Sequence, residues 1–193
     1  MSTFTAGPIV REPMSLEEFF AIDVVLAELV DGQPVFMSSP VGPHQHLVFQ
    51  IGLALEAYRP HGLAILPAPM DWVLWEVPTA TVRQPDLMVV PAEVVFEKRV
   101  TRAPLLAVEV ISPDSQERDL VAKRRDYARA GCPHYWLAHP DRRELVALTL
   151  HDDRYVEVGR LETGGQLTLD APFPITLDAA KLFAGLPPST STT

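Results

Sequence analysis

The stretch VEVISPDSQERDLVAKRRDYARAG, residues 108–131, decides the fold because it joins an apolar strand to a charged helix. Its first residues continue the apolar run 105–111, which predicts a strand in the protein interior. One carboxylate, Glu109, stands within that run. Burying a carboxylate is costly unless it is paired, protonated or bound to a metal. The ordinary alternatives are a solvent-facing edge position or an ion pair with an arginine such as Arg102.

The rest of the quoted stretch predicts a helix over about residues 116–130, ended by Gly131 in the left-handed conformation and by Pro133. Outward from it, apolar runs and turn residues alternate along the chain. The other predicted elements are a short helix after Ser15 with a poor capping box, a hairpin turning at Asp31-Gly32, a helix over 44–58, strands at 63–69, 71–77, 82–90 and 134–140, antiparallel strands within 144–170 and a short helix at 178–184.

This order predicts a mixed α/β (α+β) domain in which a mixed sheet is flanked by helices. We expect the two longer helices to cover at least one face of that sheet. A hairpin precedes this core and an antiparallel meander follows it. Residues 1–14 are expected to form a flexible arm, residues 15–185 the single domain, and residues 186–193 a disordered tail.

The composition fits one globular domain, with 193 residues, 47% hydrophobic and 21% charged. There are 16 basic and 25 acidic residues, a net charge of −9, whereas proteins that hold nucleic acid by charge are normally basic. A nucleic-acid partner would therefore require a local basic patch or metal ions. The chain has a single cysteine, no signal-peptide pattern and no apolar run long enough for a membrane span. These features predict a cytoplasmic protein.

Three residues form the predicted catalytic group. Asp86 opens an apolar run after Pro85, and Glu109 lies on the next strand of the chain. If the two strands are neighbours, both carboxylates can point to one face at one end of the sheet. Their repulsion would be relieved by a divalent cation that prefers oxygen ligands, Mg²⁺ or Mn²⁺. Lys123, on the following helix, could fold back over this strand end and orient a water or hold a phosphate.

Two residues on the charged helix are candidates for a supporting role. Asp119, Lys123 and Tyr127 follow one another at intervals of four, so they share one helix face. Asp119 would orient Lys123, and Tyr127 would support the face. The ordinary alternatives are a solvated surface ion pair for Asp119 and Lys123, and a core position for Tyr127.

Two more supporting candidates lie in the N-terminal part of the chain. Glu28, in the predicted hairpin, could supply a third carboxylate or be an ordinary acid at a strand edge. His44 and His46 look like a metal pair, but side chains two apart on a helix point in different directions. The alternative for His44 is a helix cap or a polar surface residue.

The motifs described above resemble the Uma-two family of restriction-endonuclease-like proteins, in the PD-(D/E)xK nuclease superfamily. The resemblance covers about residues 15–145. It is carried by AELVDGQPVFMSSPVGPHQHLVFQIGLAL (27–55), PDLMVV (85–90) and LLAVEVISPDSQERDLVAKRRDYARAGCPHYWLAHPDRR (105–143). The specific part is Glu-Val-x-Ser-Pro, then Asp, Lys and Tyr on the helix, then Gly-x-Pro-x-Tyr-Trp.

The resemblance implies a restriction-endonuclease-like core whose first helix is the 44–58 segment. Asp86 and Glu109 would bind Mg²⁺ with the backbone carbonyl of Val110. A metal-activated water would then hydrolyse a phosphodiester of nucleic acid, with DNA as the expected substrate. The chain departs from the wider superfamily at Ile111, where a lysine usually stands; the Uma-two pattern places the lysine on the next helix, at Lys123.

Two hypotheses follow from these observations. The first is a metal-dependent nuclease with basic residues around the rim of its site: Arg83, Arg118, Arg124 or Arg125. The second is a catalytically silent nuclease fold that serves protein association or regulation, favoured by the net charge and by Ile111. We expect a homodimer, with the apolar strands at 145–150, 155–158 and 167–169 as a candidate dimer surface.

Overall fold

The computed structural model describes residues 12–22, 24–111 and 117–187, apart from the side chains of residues 117–119. Within them lie four α-helices: Leu16–Ala21 (α1), Gly42–Tyr58 (α2), Glu117–Arg129 (α3) and Ala179–Leu182 (α4), with a 3₁₀ turn at Ala92–Phe96. The strands are Ala27–Val30 (β1), Gln33–Phe36 (β2), Leu63–Pro67 (β3), Trp72–Trp75 (β4), Thr81–Arg83 (β5), Leu87–Pro91 (β6), Leu106–Val110 (β7), His134–His139 (β8), Glu144–His151 (β9), Arg154–Leu161 (β10), Gln166–Leu169 (β11) and Ile175–Asp178 (β12).

The large sheet has six strands in the order β10-β9-β8-β7-β6-β3. Its neighbours are antiparallel except for β7 and β8, which run parallel. Parallel neighbours need a crossover connection, usually a helix, and α3 supplies it. The stretch 108–131 therefore holds the one crossover between paired strands of this sheet in the described part of the chain, and Gly131, at φ +78°, ends the crossover helix as predicted.

A second sheet of four strands, in the order β2-β1-β5-β4, was not predicted. The segment 82–90, which was expected to be one strand, is divided between the two sheets: β5 belongs to the small sheet and β6 to the large one. Pro85 between them has no N–H for a sheet ladder, and the N–H of Gln84 is donated to the side chain of Glu28 instead. The chain therefore changes sheets at this point. The strands β11 and β12 form a separate hairpin.

The two longer helices cover opposite faces of the large sheet. On β6 and β7, alternate residues such as Val89 and Val108 join a cluster with Leu47, Ile51 and Leu55 of α2. The other face packs against α3, so the predicted coverage is confirmed.

The crossover helix lies between the two sheets. The ring of Tyr127 on α3 is centred 5.1 Å from that of Trp72 on β4 and 5.2 Å from that of Tyr135 on β8. Its inner face also carries buried Lys123 and Asp126. Charged side chains on this face consequently have protein on both sides.

The ends of the domain differ in detail from the prediction. Ser15 and Glu18 form a complete capping box, because each side chain accepts the other's backbone N–H. The expectation of a poor box was wrong, since the Ser-x-x-Glu spacing is met.

Leu186, expected to start the tail, is buried in the core, and its carbonyl accepts from the guanidinium of Arg143. The carbonyl of Gly32 accepts the N–H of Met14, inside the expected arm.

Most of the predicted arm and tail, residues 1–11 and 188–193, lies outside the described residues, and the division into arm, domain and tail stays a prediction. Among the helices of the described residues, none has the length and apolar character needed to cross a lipid bilayer.

Truncating Leu55 should destabilise the protein, whereas truncating Leu53 on the same helix should not. Leu55 is fully buried and Leu53 is 50% exposed. We expect Leu55→Ala to lower the free energy of unfolding by about 2–5 kcal/mol because it leaves a cavity. Leu53→Ala should stay within about 0.5 kcal/mol of the parent protein. Urea unfolding followed by circular dichroism measures both; equal losses would contradict the packing of α2 described here.

Candidate active site

Glu109 is buried on β7 and faces α3. One carboxylate oxygen, Oε2, lies 3.0 Å from the ammonium of Lys123. The other, Oε1, accepts a hydrogen bond of 2.6 Å from the hydroxyl of Tyr127. The predicted need for a partner is therefore met by the helix that follows in the chain. The alternative partner, Arg102, instead pairs with Glu93 and Glu97 at the surface.

Asp86 lies at the same end of the sheet as Glu109. Strands β6 and β7 pair with Leu87 opposite Val108, so the next step of this register places Asp86 across from Glu109. The Oδ2 atom of Asp86 accepts the backbone N–H of Val110 at 2.7 Å. Its side chain is 17% exposed, against 7% for Glu109. A ligand entering from solvent would therefore meet Asp86 first.

Glu28 joins this group from the small sheet. It lies on β1 between β2 and β5, so it is not an acid at a sheet edge. Its Oε1 atom is 3.4 Å from the ammonium of Lys123 and accepts the backbone N–H of Gln84. The prediction of a third nearby carboxylate agrees with this position. Lys123 consequently lies between two carboxylates, one from each sheet.

Arg83 was expected at the rim of the site, but it is only 2% exposed. Its guanidinium donates to Glu28 at 2.7 Å and to Asp126 of α3 at 2.6 Å. Asp126 was not predicted as part of the site. A usable signal existed for both residues. An arginine in a predicted strand needs an acidic partner if that strand is buried, and Asp126 lies three positions after Lys123, on a neighbouring part of the helix surface.

The predicted helix face is partly described. Lys123 and Tyr127 both reach Glu109, while the side chain of Asp119 lies outside the described residues. Its role stays a prediction, as does that of the Val110 carbonyl. Arg124 and Arg125 are exposed, but Arg124 donates to the carbonyl of Tyr155 on β10 and Arg125 donates to Asp126. The side chain of Arg118 lies in the part that the structure does not describe, and a rim position for these arginines stays a prediction.

His44 lies in the first turn of α2 and is buried against Asp86. Its Nε2 atom is 3.2 Å from Asp86 Oδ2. Burial opposes protonation of the imidazole, but the hydrogen bond and the charge of Asp86 outweigh it, so the pKa of His44 is raised. His46 contacts the carbonyl of Ala184 instead, at 2.6 Å. The expectation that these two histidines point apart is confirmed.

The described cluster has more acidic than basic groups. It contains the carboxylates of Glu28, Asp86, Glu109 and Asp126, the cations Arg83 and Lys123, and the imidazole of His44, which adds a positive charge when it is protonated. Burial raises the pKa of Glu109, the ammonium of Lys123 lowers it, and repulsion from Asp86 and Glu28 raises it again, to about 7. The arrangement would therefore gain from an additional cation beside Asp86 and Glu109.

The side chains present fit some metal ions better than others. Among the described residues, no group of three or more His, Cys, Asp and Glu side chains is arranged to hold a metal. Such groups are typical of zinc sites. Magnesium is commonly bound by one or two carboxylates together with water and substrate phosphates. The pair Asp86 and Glu109 matches the magnesium pattern.

Removing the hydroxyl of Tyr127 should destabilise the charged form of Glu109. We expect Tyr127→Phe to lower the free energy of unfolding near neutral pH by about 1.5–3 kcal/mol, the range for a hydrogen bond to a charged group. The pKa of Glu109 should rise further, because the lost bond favours the carboxylate. Tyr155→Phe is the matched control, since its hydroxyl donates to the neutral carbonyl of Cys132. A carboxyl titration by ¹³C NMR that moves equally in both variants would contradict this assignment.

Without added metal, Glu109 should make stability fall as pH rises. Its folded pKa of about 7 lies above the ordinary value of 4.5, so the folded state holds the proton more tightly. The resulting stabilisation is complete below about pH 4.5 and is lost as pH rises through about 7. Urea unfolding between about pH 5 and pH 8 should show a smaller decline in Glu109→Gln than in the parent protein. An equal decline of the unfolding free energy in both proteins would show that Glu109 does not cause this pH dependence.

Comparisons with known proteins agree with this architecture. The model of the Uma2 family, described as "Putative restriction endonuclease", matches residues 16–181. A crystal structure from Anabaena variabilis, described as "a putative nuclease belonging to DUF820", superposes with a TM-score of 0.74 at 16% identity, covering 91% of this chain and 100% of that one. At that identity it shows the fold alone. No curated protein matches the chain. Because the family match spans most of the sequence, the chain belongs to the Uma2 family and has the fold of restriction-endonuclease-like nucleases.

Proposed function

We propose that this protein is a divalent-metal-dependent endonuclease that hydrolyses phosphodiester bonds of nucleic acid, with DNA as its substrate. The observation that carries the proposal is the convergence of Asp86, Glu109 and Lys123 at one end of the large sheet. Family membership supports a nuclease, and the partly exposed carboxylate of Asp86 supplies a point of access.

The proposed metal is Mg²⁺ or Mn²⁺, held by Asp86, Glu109 and the backbone carbonyl of Val110. When bound, it would polarise the phosphate and lower the pKa of a water molecule. The excess of carboxylates in the cluster supports a cation at this place, since it would offset the repulsion from Asp86 and Glu28 that, together with burial, raises the pKa of Glu109.

Lys123 would take the role that a strand lysine has elsewhere in the superfamily. The superfamily position on the strand is occupied by Ile111, yet the ammonium of Lys123 reaches Glu109 from the neighbouring helix. From there it would orient the attacking water or neutralise charge on the phosphate in the transition state. A lysine that has moved to a helix is therefore compatible with the proposed chemistry.

The supporting residues would hold the catalytic group in place. Tyr127 fixes one oxygen of Glu109, and His44 packs against Asp86. Glu28 keeps Lys123 between two carboxylates. We retain Asp119 as a further residue that orients Lys123 from the same helix face.

A catalytically silent nuclease fold is the second candidate. It is favoured by the occupation of both Glu109 oxygens by Lys123 and Tyr127, and by the net charge of −9. The dimer surface expected for such a protein needs correction. Leucines of the strands at 145–150 and 167–169 are largely buried in the core, leaving Val156 and Val158 of β10 as exposed apolar residues there. A homodimer remains a prediction.

Calorimetric titration with Mg²⁺ and Mn²⁺ tests the site directly. We expect the parent protein to bind either ion, and Asp86→Asn and Glu109→Gln to weaken binding by at least about 10- to 100-fold, because a ligand loses its charge. Asp178→Asn, at the exposed N-terminus of α4, is the control and should bind like the parent.

A nuclease assay on mixed DNA and RNA, run with the same four proteins, separates the two candidates. Metal-dependent cleavage of DNA that both site variants lose supports the endonuclease. Metal binding without cleavage of either nucleic acid would favour the silent fold. No binding at millimolar metal would overturn the proposed site.

A further inference from the structure

Among the described side chains, two ion pairs of Arg83 connect the small sheet to the crossover helix. One terminal nitrogen donates to Glu28 on β1, and the other donates to Asp126 on α3. All three side chains are almost completely buried. Taking such charges out of water is costly, and the loss of one partner would leave another buried charge uncompensated. The three residues therefore act as a unit.

The Glu28 side of this unit reaches the proposed active site. Glu28 accepts from Arg83 through Oε2, while its Oε1 atom lies 3.4 Å from the ammonium of Lys123. The same Oε1 atom accepts the backbone N–H of Gln84, which limits rotation of the carboxylate. The position of Glu28 is thus set by groups on the small sheet, independently of Lys123.

We infer that Arg83 is a positioning residue, which acts through Glu28 to fix the Lys123 ammonium against Glu109. A lysine side chain has four rotatable bonds and presents a point charge, so a single carboxylate partner would define its direction poorly. Two carboxylates held on different sheets define it much better. The catalytic meaning of this arrangement rests on the proposed function, whereas the arrangement itself can be measured without turnover.

The guanidinium also holds the helix that carries Lys123. Asp126 lies on α3 three residues after Lys123, and its bond to Arg83 anchors that part of the helix to the small sheet. A lysine at position 83 would keep the charge but lacks the planar group that serves two carboxylates at once. Arg83→Lys should therefore not restore the position of Lys123.

The lysine content of the chain allows a direct test. Only three lysines are present, and Lys98 and Lys181 are exposed while Lys123 is buried. Acetylation of the folded protein at neutral pH, with the three sites quantified by mass spectrometry, gives the reactivity of Lys123 relative to two internal references. The variants to compare are Glu28→Gln, Asp126→Asn and Arg83→Lys.

Glu28→Gln and Asp126→Asn form a matched pair, because each removes one buried negative charge from Arg83 with little change in shape. We expect Glu28→Gln and Arg83→Lys to raise the relative acetylation of Lys123 by about tenfold or more, because the buried carboxylate 3.4 Å from its ammonium is lost or displaced. Asp126→Asn should raise it by less, because this change loosens the helix but leaves the ion pair between Glu28 and Lys123 in place. Equal increases in the matched pair, or none in Glu28→Gln and Arg83→Lys, would overturn the inference. Thermal unfolding confirms that each variant is folded during labelling.

Kinetics of DNA cleavage supply the second readout. Glu28→Gln and Arg83→Lys should lower kcat by roughly 10- to 100-fold with little change in KM, as expected for partners that orient a catalytic group. Absence of nucleic-acid cleavage by the parent protein would overturn the proposed function. The acetylation ratios would still test whether Arg83 and Glu28 position Lys123.

Discussion

The burial of the Glu109 carboxylate inside a strand is the constraint on which the rest of the structure depends. A carboxylate at this place needs partners, and β7 has an antiparallel neighbour on one side and a parallel one on the other. The parallel pair requires a crossover, and the crossover helix brings Lys123 and Tyr127 to the two carboxylate oxygens. The helix that the parallel strand pair requires therefore also supplies the two side chains that stabilise the buried carboxylate of Glu109.

Each buried charge in this network needs a partner of opposite charge, and that partner is itself buried. Lys123 is itself buried, so it needs more negative charge than Glu109 alone, and Glu28 of the small sheet provides it. Glu28 and Asp126 are then stabilised by Arg83. The small sheet thus completes a set of ion pairs around the inner face of α3 and is more than an N-terminal extension of the large sheet. The second sheet therefore supplies two of the charged side chains in this network, Glu28 and Arg83.

The site brings together buried charged groups that are unfavourable for folding, and it includes the two carboxylates of the proposed cation site, Asp86 and Glu109. Burial, together with repulsion from Asp86 and Glu28, raises the pKa of Glu109, and the side chain of Asp86 is more exposed than that of Glu109. Strain of this electrostatic kind is characteristic of functional sites, where an arrangement is kept although it does not maximise stability. The acidic net charge of the chain, which argues against binding nucleic acid by charge alone, is consistent with a site whose charge is completed by a metal.

The sequence by itself determined the order of the elements, the acid within the apolar strand and the helix face that carries Lys123 and Tyr127. These features depend on local periodicity and on the cost of burying a charge, both of which can be read over a few residues. Only the tertiary structure decided that Arg83 is buried and that Asp126 belongs to the network. The partners of Arg83 are 55 and 43 residues away in the chain. Their meeting requires residues 82–90 to divide between two sheets. Pro85 marks the point of division, but the sheet that each half joins is settled by pairing between distant strands.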